Sequence, residues 1–287
     1  MATIDRSDDA ARQAGDQVKA AAQNPVLEFL ERIGYVFRGL LYLVMGILAL
    51  QIATSNPGGK ATDQKGSLLV LVSNPFGKFV LIAFIVGLGA YSIWGFVRAI
   101  YDPLHRGKDA NGIVQRLGMA WSGFAYGTMV IFALQFLGGK ASGANQDPLP
   151  KIAASLLSHP FGYWLTLIAG FIAIAAGIGQ FIESRKAGFR RDLKLGEMSK
   201  PEKDIAIGLG RFGYFARGVV FVLVGYFLTQ AAQHHDASQA KGYQGAFLAL
   251  LNEPFGHPLL AIVALGFIAL GLHSVAQARY QRLLGSN

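Results

Sequence analysis

Few side chains in this sequence could do chemistry, and the most prominent are arginines inside long apolar segments. Arg38 and Arg217 occupy matching positions in two such segments, and Ser122 occupies the same position in a third. A planar guanidinium can bind phosphate through two parallel hydrogen bonds. These three residues therefore predict an anion or lipid-phosphate clamp near the inner end of a helix bundle. The alternative is that both arginines extend to the lipid headgroups and act only as anchors.

Other polar residues recur with the same regularity. Ionisable or strongly polar groups inside a membrane helix are costly and often functional. Three glutamines, Gln51, Gln135 and Gln230, could form a ring around an axial opening. They could instead form hydrogen bonds between helices, worth about 1 kcal/mol each. A lone histidine in the last segment favours a packing hydrogen bond over a proton relay. The further anion or lipid candidates are Arg32, Arg116 and Arg211, and the packing or pore-ring candidates are Gln51, Gln135, Gln230 and His273.

The sequence predicts no catalytic residue, cofactor or metal site. It has no cysteine, which excludes disulfides, thiolate chemistry and Cys-ligated metals. His234, His235 and His257 could bind a metal, but no His-x-x-x-His pair supports that site, so solvated loops are favoured. No phosphate-binding glycine loop follows a strand. We therefore expect a protein that is not an enzyme.

Composition indicates that hydrocarbon is the solvent around this chain. Of 287 residues 52% are hydrophobic and only 15% are charged, whereas a soluble domain carries about 25% charged residues. Six apolar stretches of about 20 residues, the length of a membrane-spanning helix, predict an all-α integral membrane fold. They cover residues 33–53, 79–99, 117–137, 163–182, 212–232 and 259–276.

Charge placement predicts the orientation and the partners. With six spans, every arginine falls on one side of the membrane, and the other side carries only lysines. The positive-inside rule then places both termini in the cytoplasm. Because the basic residues follow the membrane edges, we expect anionic lipid headgroups as partners and no nucleic acid. The glycine-rich faces also fit a homo-oligomer or a subunit of a larger membrane complex.

One two-helix unit is repeated three times. The pattern Arg-x-Gly-x-x-x-(Arg/Ser)-Gly begins at Arg32, Arg116 and Arg211, and Pro-Phe-Gly follows in each copy at Pro75, Pro160 and Pro254. Short apolar stretches before Pro-Phe-Gly predict interfacial helices on the outer side, and proline predicts a corner. The predicted organisation is a cytoplasmic tail (1–30) and repeats over 31–110, 111–200 and 201–287, arranged about a pseudo-threefold axis.

These motifs resemble a bacterial membrane family known as domain of unknown function 1206. The resemblance covers nearly everything except the N-terminal tail, and the middle copy departs most, with Met119 and Ser122 in place of Tyr and Arg. It implies a location in the bacterial cytoplasmic membrane and no particular activity.

Two functions follow as expectations. The first is a non-catalytic membrane protein, a structural, accessory or scaffold module, which accounts for glycine-rich faces and missing catalytic chemistry. The second is a passive channel or facilitator for a small anionic or polar solute along the pseudo-threefold axis, lined by Arg38, Ser122 and Arg217.

Overall fold

The computed structural model describes residues 25–54, 64–73, 77–102, 109–138, 147 and 149–281, and every element in these ranges is a helix. The long helices are α1 (Pro25–Ala53), α3 (Gly77–Tyr101), α4 (Ala110–Leu137), α6 (Gly162–Lys186), α7 (Lys200–Gln233) and α9 (Gly256–Tyr280). The short ones are α2 (Gln64–Val72), α5 (Leu149–Leu157) and α8 (Tyr243–Leu251). Residues 1–24 of the predicted cytoplasmic tail lie outside the described residues.

The six predicted membrane spans are confirmed. Each long helix contains an apolar window long enough to cross a bilayer, so the chain is a multi-pass membrane protein. Two helices begin earlier than their apolar stretches. In α7 a capping box formed by Ser199 and Glu202 starts the helix at Lys200, ahead of the membrane. The first helix begins at Pro25, inside the predicted tail, because proline suits the first position of a helix.

The short helices and corners also form as predicted. Helices α2, α5 and α8 have nine residues each and precede the second long helix of their repeat. At the two described corners, a Cβ added to Gly162 or Gly256 would lie 2.0 Å from the carbonyl oxygen of Leu156 or Leu251. Only glycine allows this approach, so Pro-Phe-Gly ends one helix and begins the next. Pro75 and Phe76 of the first copy lie outside the described residues.

Backbone contacts divide the described chain into two compact units. The first contains 25–38, 77–138 and 277–281, so the start of α1 packs with α3, α4 and the end of α9. Its core is aromatic: Tyr91 packs edge-on against both Tyr35 and Tyr126, and Phe37 packs edge-on against Phe84.

The second unit contains 39–54, 64–73, 147 and 149–276. Its core lies between α1, α7, α8 and α9, where Met45, Val220 and Leu260 are fully buried. Phe247 of the short helix α8 is also fully buried and packs edge-on against Phe267. Helix α8 therefore contributes to the core of the unit as well as to its surface.

Glycine faces join the first helix of each repeat to the second helix of another repeat. In α1, a Cβ added to Gly39 would lie 2.8 Å from the carbonyl oxygen of Gly271 in α9. In α7, a Cβ added to Gly225 would lie 2.6 Å from the carbonyl oxygen of Gly170 in α6. In α4, Gly123 makes the same kind of approach to α3. The predicted glycine packing is confirmed, and the contacts lie within the chain.

Candidate functional site

Arg38 lies in the first unit and is held by neutral groups from two other helices. Its Nη1 donates to the hydroxyl of Tyr91 at 2.7 Å, and its Nη2 donates to the side-chain oxygen of Gln277. The guanidinium carbon lies 4.7 Å from the ring centroid of Tyr35 and 5.5 Å from that of Tyr91. Arg38 is half-buried. The two tyrosine rings therefore add cation–π attraction to its hydrogen bonds.

Arg217 occupies a corresponding site in the second unit. Its Nε and Nη2 both donate to the side-chain oxygen of Gln180, at 3.1 and 2.6 Å, and its Nη1 lies 3.4 Å from the hydroxyl of Tyr42. The guanidinium carbon lies 5.1 Å from the ring centroid of Tyr214. Among the described residues no carboxylate pairs with Arg217. Its charge is therefore surrounded by an amide, phenols and aromatic rings.

The two arginine sites follow one rule. Each arginine comes from the first helix of a repeat and takes its amide partner from the second helix of another repeat: Gln180 in α6 for Arg217, and Gln277 in α9 for Arg38. Each also binds a tyrosine hydroxyl contributed by a different helix. The arginines therefore join helices of different repeats, which lipid anchors would not do.

Ser122 does not form a third site of this kind. No described residue forms a hydrogen bond with its side chain, and the adjacent contact is a close approach of α3 and α4. A Cβ added to Gly95 would lie 2.8 Å from the Cα of Gly123, and Ser92 Oγ donates to the carbonyl oxygen of Gly123 at 2.6 Å. The contact beside Ser122 is therefore a close approach of two helix backbones.

Two of the three further arginine candidates, Arg32 and Arg116, bind the ends of other helices. Arg32 Nη1 donates to the carbonyl oxygens of Ala278 and Arg279, both at 2.6 Å, at the end of α9. Arg116 donates to the carbonyl oxygens of Ala99 and Ile100 at the end of α3. These bonds satisfy carbonyls that have no partner within their own helix. Arg211 is exposed. Binding of anions or lipid by these residues stays a prediction.

The three glutamines have different surroundings. Gln51 is half-buried and Gln135 is exposed. Gln230 Nε2 donates to the hydroxyl of Tyr226 at 2.8 Å and faces an open cavity of about 470 Å³. A ring of these three side chains stays a prediction. The cavity is lined by Tyr226, Phe227, Gln230, Ser238, Gln239 and Lys241.

His273 is fully buried beside the segment that joins α6 to α7. Its Nδ1 lies 3.0 Å from the carbonyl oxygen of Ala206, which fits the predicted packing hydrogen bond. Phe189 from the joining segment lies edge-on to the His273 ring at 4.8 Å and stacks on Tyr214 at 5.3 Å. Phe189 therefore packs the segment between α6 and α7 against α7 and α9.

The other histidines make separate contacts. His234 Nδ1 lies 3.0 Å from the carbonyl oxygen of Gln230, and His235 stacks on Tyr163. His257 Nδ1 lies 2.9 Å from the carbonyl oxygen of Ala53. In the part of the chain that the structure describes, no three His, Asp or Glu residues group as metal ligands do.

Sequence reasoning found the arginines but missed most of their partners. The motifs do not mark Gln180, Gln277, Tyr42 or Tyr91 as those partners. One signal was present: Arg98, Glu183 and Gln277 stand at the same distance after Pro-Phe-Gly in the three repeats. A polar residue at a fixed position in every second helix indicates an inward-facing contact.

Comparisons with known proteins agree with the three repeats. The family described as Domain of Unknown Function (DUF1206) matches the chain three times, over residues 33–102, 117–187 and 212–281. The chain is also 32% identical over 259 residues to a protein of Bacillus subtilis (strain 168) named "Uncharacterized protein YxxB". That match covers 90% of this chain and 93% of the relative. No solved structure matches.

Proposed function

This chain belongs to the family described as Domain of Unknown Function (DUF1206). We propose from the geometry of its own side chains that it is a non-catalytic structural or accessory module of the bacterial cytoplasmic membrane. One observation carries the proposal. The side chains best suited to bind a ligand, Arg38 and Arg217, are engaged in hydrogen bonds that join helices of different repeats.

The remaining polar groups of the spans are used in the same way. Arg32 and Arg116 complete the ends of α9 and α3, and His273 binds the backbone of α7. Catalysis requires polar groups that converge on a substrate, whereas these groups converge on other helices. A bundle tied together by its own polar side chains presents a fixed surface, which is what a structural partner in a membrane complex requires.

Two apolar faces are proposed to meet a partner, one on α4 in the first unit and one on α6 in the second. These spans are the least covered of the six by the rest of the chain. Trp121 on α4 and Phe171 on α6 are 68% and 59% exposed. A photocrosslinking amino acid at Trp121 or Phe171 should give a discrete band in native membranes, whereas one at Ile93 of α3 should give none. The same lipid-only pattern at all three positions would contradict the module.

The proposed orientation places both termini in the cytoplasm. The chain has no cysteine, so a single introduced cysteine reports its own accessibility without background. Lys186→Cys at the end of α6 should react with a membrane-impermeant maleimide only in inverted vesicles. Ser158→Cys at the outer corner should react in intact spheroplasts. The reverse labelling pattern would show that both termini lie on the outer side of the membrane.

A second candidate is a passive facilitator for a small anion, supported by the incomplete covering of Arg38 and Arg217, which are both half-buried. Its test is anion flux into proteoliposomes that contain the wild-type chain or the Arg38→Ala, Arg217→Ala double variant. Wild-type flux above that of empty liposomes and loss of this flux in the variant would support a conduit. Wild-type flux equal to that of empty liposomes would exclude the conduit and leave the structural module as the proposed function.

A further inference from the structure

The open cavity beside Gln230 lies near the end of α7, within the second unit. Its volume is about 470 Å³. Cavities that bind small molecules usually have about 300–1,000 Å³, so this one has room for a small polar molecule or a lipid headgroup. Three of its lining side chains come from α7 and three from the loop that follows: Tyr226, Phe227, Gln230, Ser238, Gln239 and Lys241.

Lys241 brings a positive charge to the cavity, and its neighbours hold it in place. The N–H of the next residue, Gly242, donates to the carboxylate of Asp147. A Cβ added to Gly245 would lie 2.5 Å from Cβ and 3.0 Å from Cγ of Lys241, so the stem of the lysine lies against α8. Its Nζ lies 4.7 Å from the ring centroid of Phe227. The ammonium is therefore directed to the cavity wall while it stays accessible from outside.

The cavity has hydrogen-bonding groups that the protein itself does not use. No carboxylate within the described ranges pairs with Lys241. The hydroxyl oxygen of Tyr226 accepts from Gln230 Nε2 at 2.8 Å, whereas no described residue accepts the hydroxyl proton. The side-chain oxygens of Gln230 and Gln239 likewise receive no hydrogen bond from described residues. A ligand in the cavity would therefore meet one positive charge, a phenol donor and two amide acceptors.

The cavity lies at the depth where hydrocarbon gives way to lipid headgroups. Tyr226 is within the apolar stretch 212–232, and α7 ends at Gln233. At 1.5 Å per residue, the wall of the cavity begins about 10 Å inside the end of the helix. Lys241 follows the helix on the same side. Tyrosine and lysine at this depth typically contact headgroups, so a lipid can reach the cavity from within its own leaflet.

We propose that this cavity binds the headgroup of an anionic membrane phospholipid whose phosphodiester carries hydroxyl groups, as in phosphoglycerol. The Lys241 ammonium and the Tyr226 hydroxyl donate to the phosphate oxygens, and the headgroup hydroxyls donate to the side-chain oxygens of Gln230 and Gln239. Lysine binds phosphate as a point charge, and a zwitterionic headgroup would bring its own cation toward Lys241. The inference does not depend on the module function, because a bound lipid requires neither a partner protein nor transport.

The test is the protection of a single cysteine in the cavity wall, in the full chain purified in an uncharged detergent. The chain has no cysteine, so Ser238→Cys provides one thiol in the cavity and Ser158→Cys provides one exposed thiol outside it. Phosphatidylglycerol at about ten times its dissociation constant leaves about one tenth of the cavities empty, so modification of Ser238→Cys by N-ethylmaleimide should slow about tenfold. Modification of Ser158→Cys should not slow. Equal slowing of both thiols would overturn the proposal.

A second measurement covers the case in which Ser238→Cys itself disturbs the cavity. Native mass spectrometry of the wild-type chain should show a retained phosphatidylglycerol adduct, and Lys241→Met should lose it. The absence of both the cysteine protection and this Lys241-dependent adduct would overturn the proposal.

Variants of the lining groups locate the site in the Ser238→Cys background. Lys241→Met keeps the stem, removes the charge and should abolish the protection. Tyr226→Phe keeps the ring and removes one donor, so the half-protecting lipid concentration should rise about tenfold, as expected for one hydrogen bond to a charged group. Lys151→Met removes an exposed lysine from α5 in the same unit and should keep the protection. Protection that survives Lys241→Met, or that is also lost in Lys151→Met, would overturn the site.

Two further ligands distinguish the chemistry and its source. Phosphatidylcholine has the same acyl chains with a zwitterionic headgroup and should give no protection. Glycerophosphoglycerol has the same phosphodiester without acyl chains and should protect only at concentrations more than about tenfold higher, since it buries no chain in the bilayer. Equal protection by phosphatidylcholine would exclude recognition of the negative charge. Equal protection by glycerophosphoglycerol would make the ligand a water-soluble phosphodiester, and either result would overturn the proposal.

Discussion

Arg38 and Gln277 are hydrogen-bonded through the guanidinium and the amide oxygen, which joins α1 to α9. Arg217 and Gln180 form the same kind of bond between α7 and α6. Because the amide acceptor is neutral, each bond orients the guanidinium without neutralising its charge. The two bonds thus serve as joints within the bundle, and their removal should be measurable as a loss of stability.

The first prediction concerns the Arg38 joint. Gln277→Leu removes one acceptor of the guanidinium in a mostly buried position, and hydrogen bonds to charged groups contribute about 1.5–3 kcal/mol. The free energy of unfolding should fall by about 2 kcal/mol, measured by unfolding in mixed micelles. Gln135→Leu is the control, because Gln135 is exposed and should change stability by less than about 0.5 kcal/mol. Equal effects of the two changes would refute the joint.

A second prediction uses the backbone approach of α6 and α7. Gly225→Ala would place its Cβ 2.6 Å from the carbonyl oxygen of Gly170, so the helices must separate, at a cost of roughly 1–3 kcal/mol. Gly179→Ala is the matched control, because an added Cβ there meets nothing within 4 Å. Melting in detergent should separate the two variants by several degrees. Indistinguishable melting would show that these helices do not pack through Gly225.

The third prediction concerns the segment between α6 and α7. Phe189→Ala removes the stacking on Tyr214 and the edge contact with His273, a truncation that typically costs about 3–5 kcal/mol. Released from the bundle, the segment should be cut faster by trypsin at the exposed Arg190 and Arg191. Phe171→Ala on the exposed face of α6 should leave the cleavage rate unchanged. A rate that does not change in Phe189→Ala would count against the packing described.

The fourth prediction is a pH dependence outside the membrane. The hydroxyl and backbone N–H of Ser238 donate to Asp236 and lower the pKa of its carboxyl. The turn Ala237–Gln239 should therefore keep this support above the ordinary Asp pKa and lose it as pH falls through the lower folded value. A carboxyl-carbon NMR titration measures it directly. Ser238→Ala should move the pKa back toward its ordinary value, and no movement would exclude Ser238 as the cause.

Apolar length and repetition predict the spans, the short helices and the corners, because hydrocarbon thickness and proline geometry act on neighbouring residues. The glycine faces are predictable for the same reason, since Gly218 and Gly225 recur along one helix face. Helix α7 exceeds its apolar stretch because a capping box, which is a polar signal, determines where it begins.

The partners of the arginines could not be predicted in the same way. Gln277, Glu183 and Arg98 share a position but differ in charge, so no common motif marks them. Pairing Arg38 with Gln277 also requires knowing which helices are neighbours, which depends on the folded arrangement.

The contact of Gly39 with Gly271 has a consequence for biosynthesis. Four other long helices separate α1 from α9 along the described chain, so the glycine face of α1 enters the membrane before its neighbour α9 is synthesised. Until then that face of α1 can meet only lipid or the insertion machinery. The contact between α1 and α9 therefore cannot form as each hairpin is inserted. A chain that stops before Gly256 would leave Gly39 without the helix that it packs against.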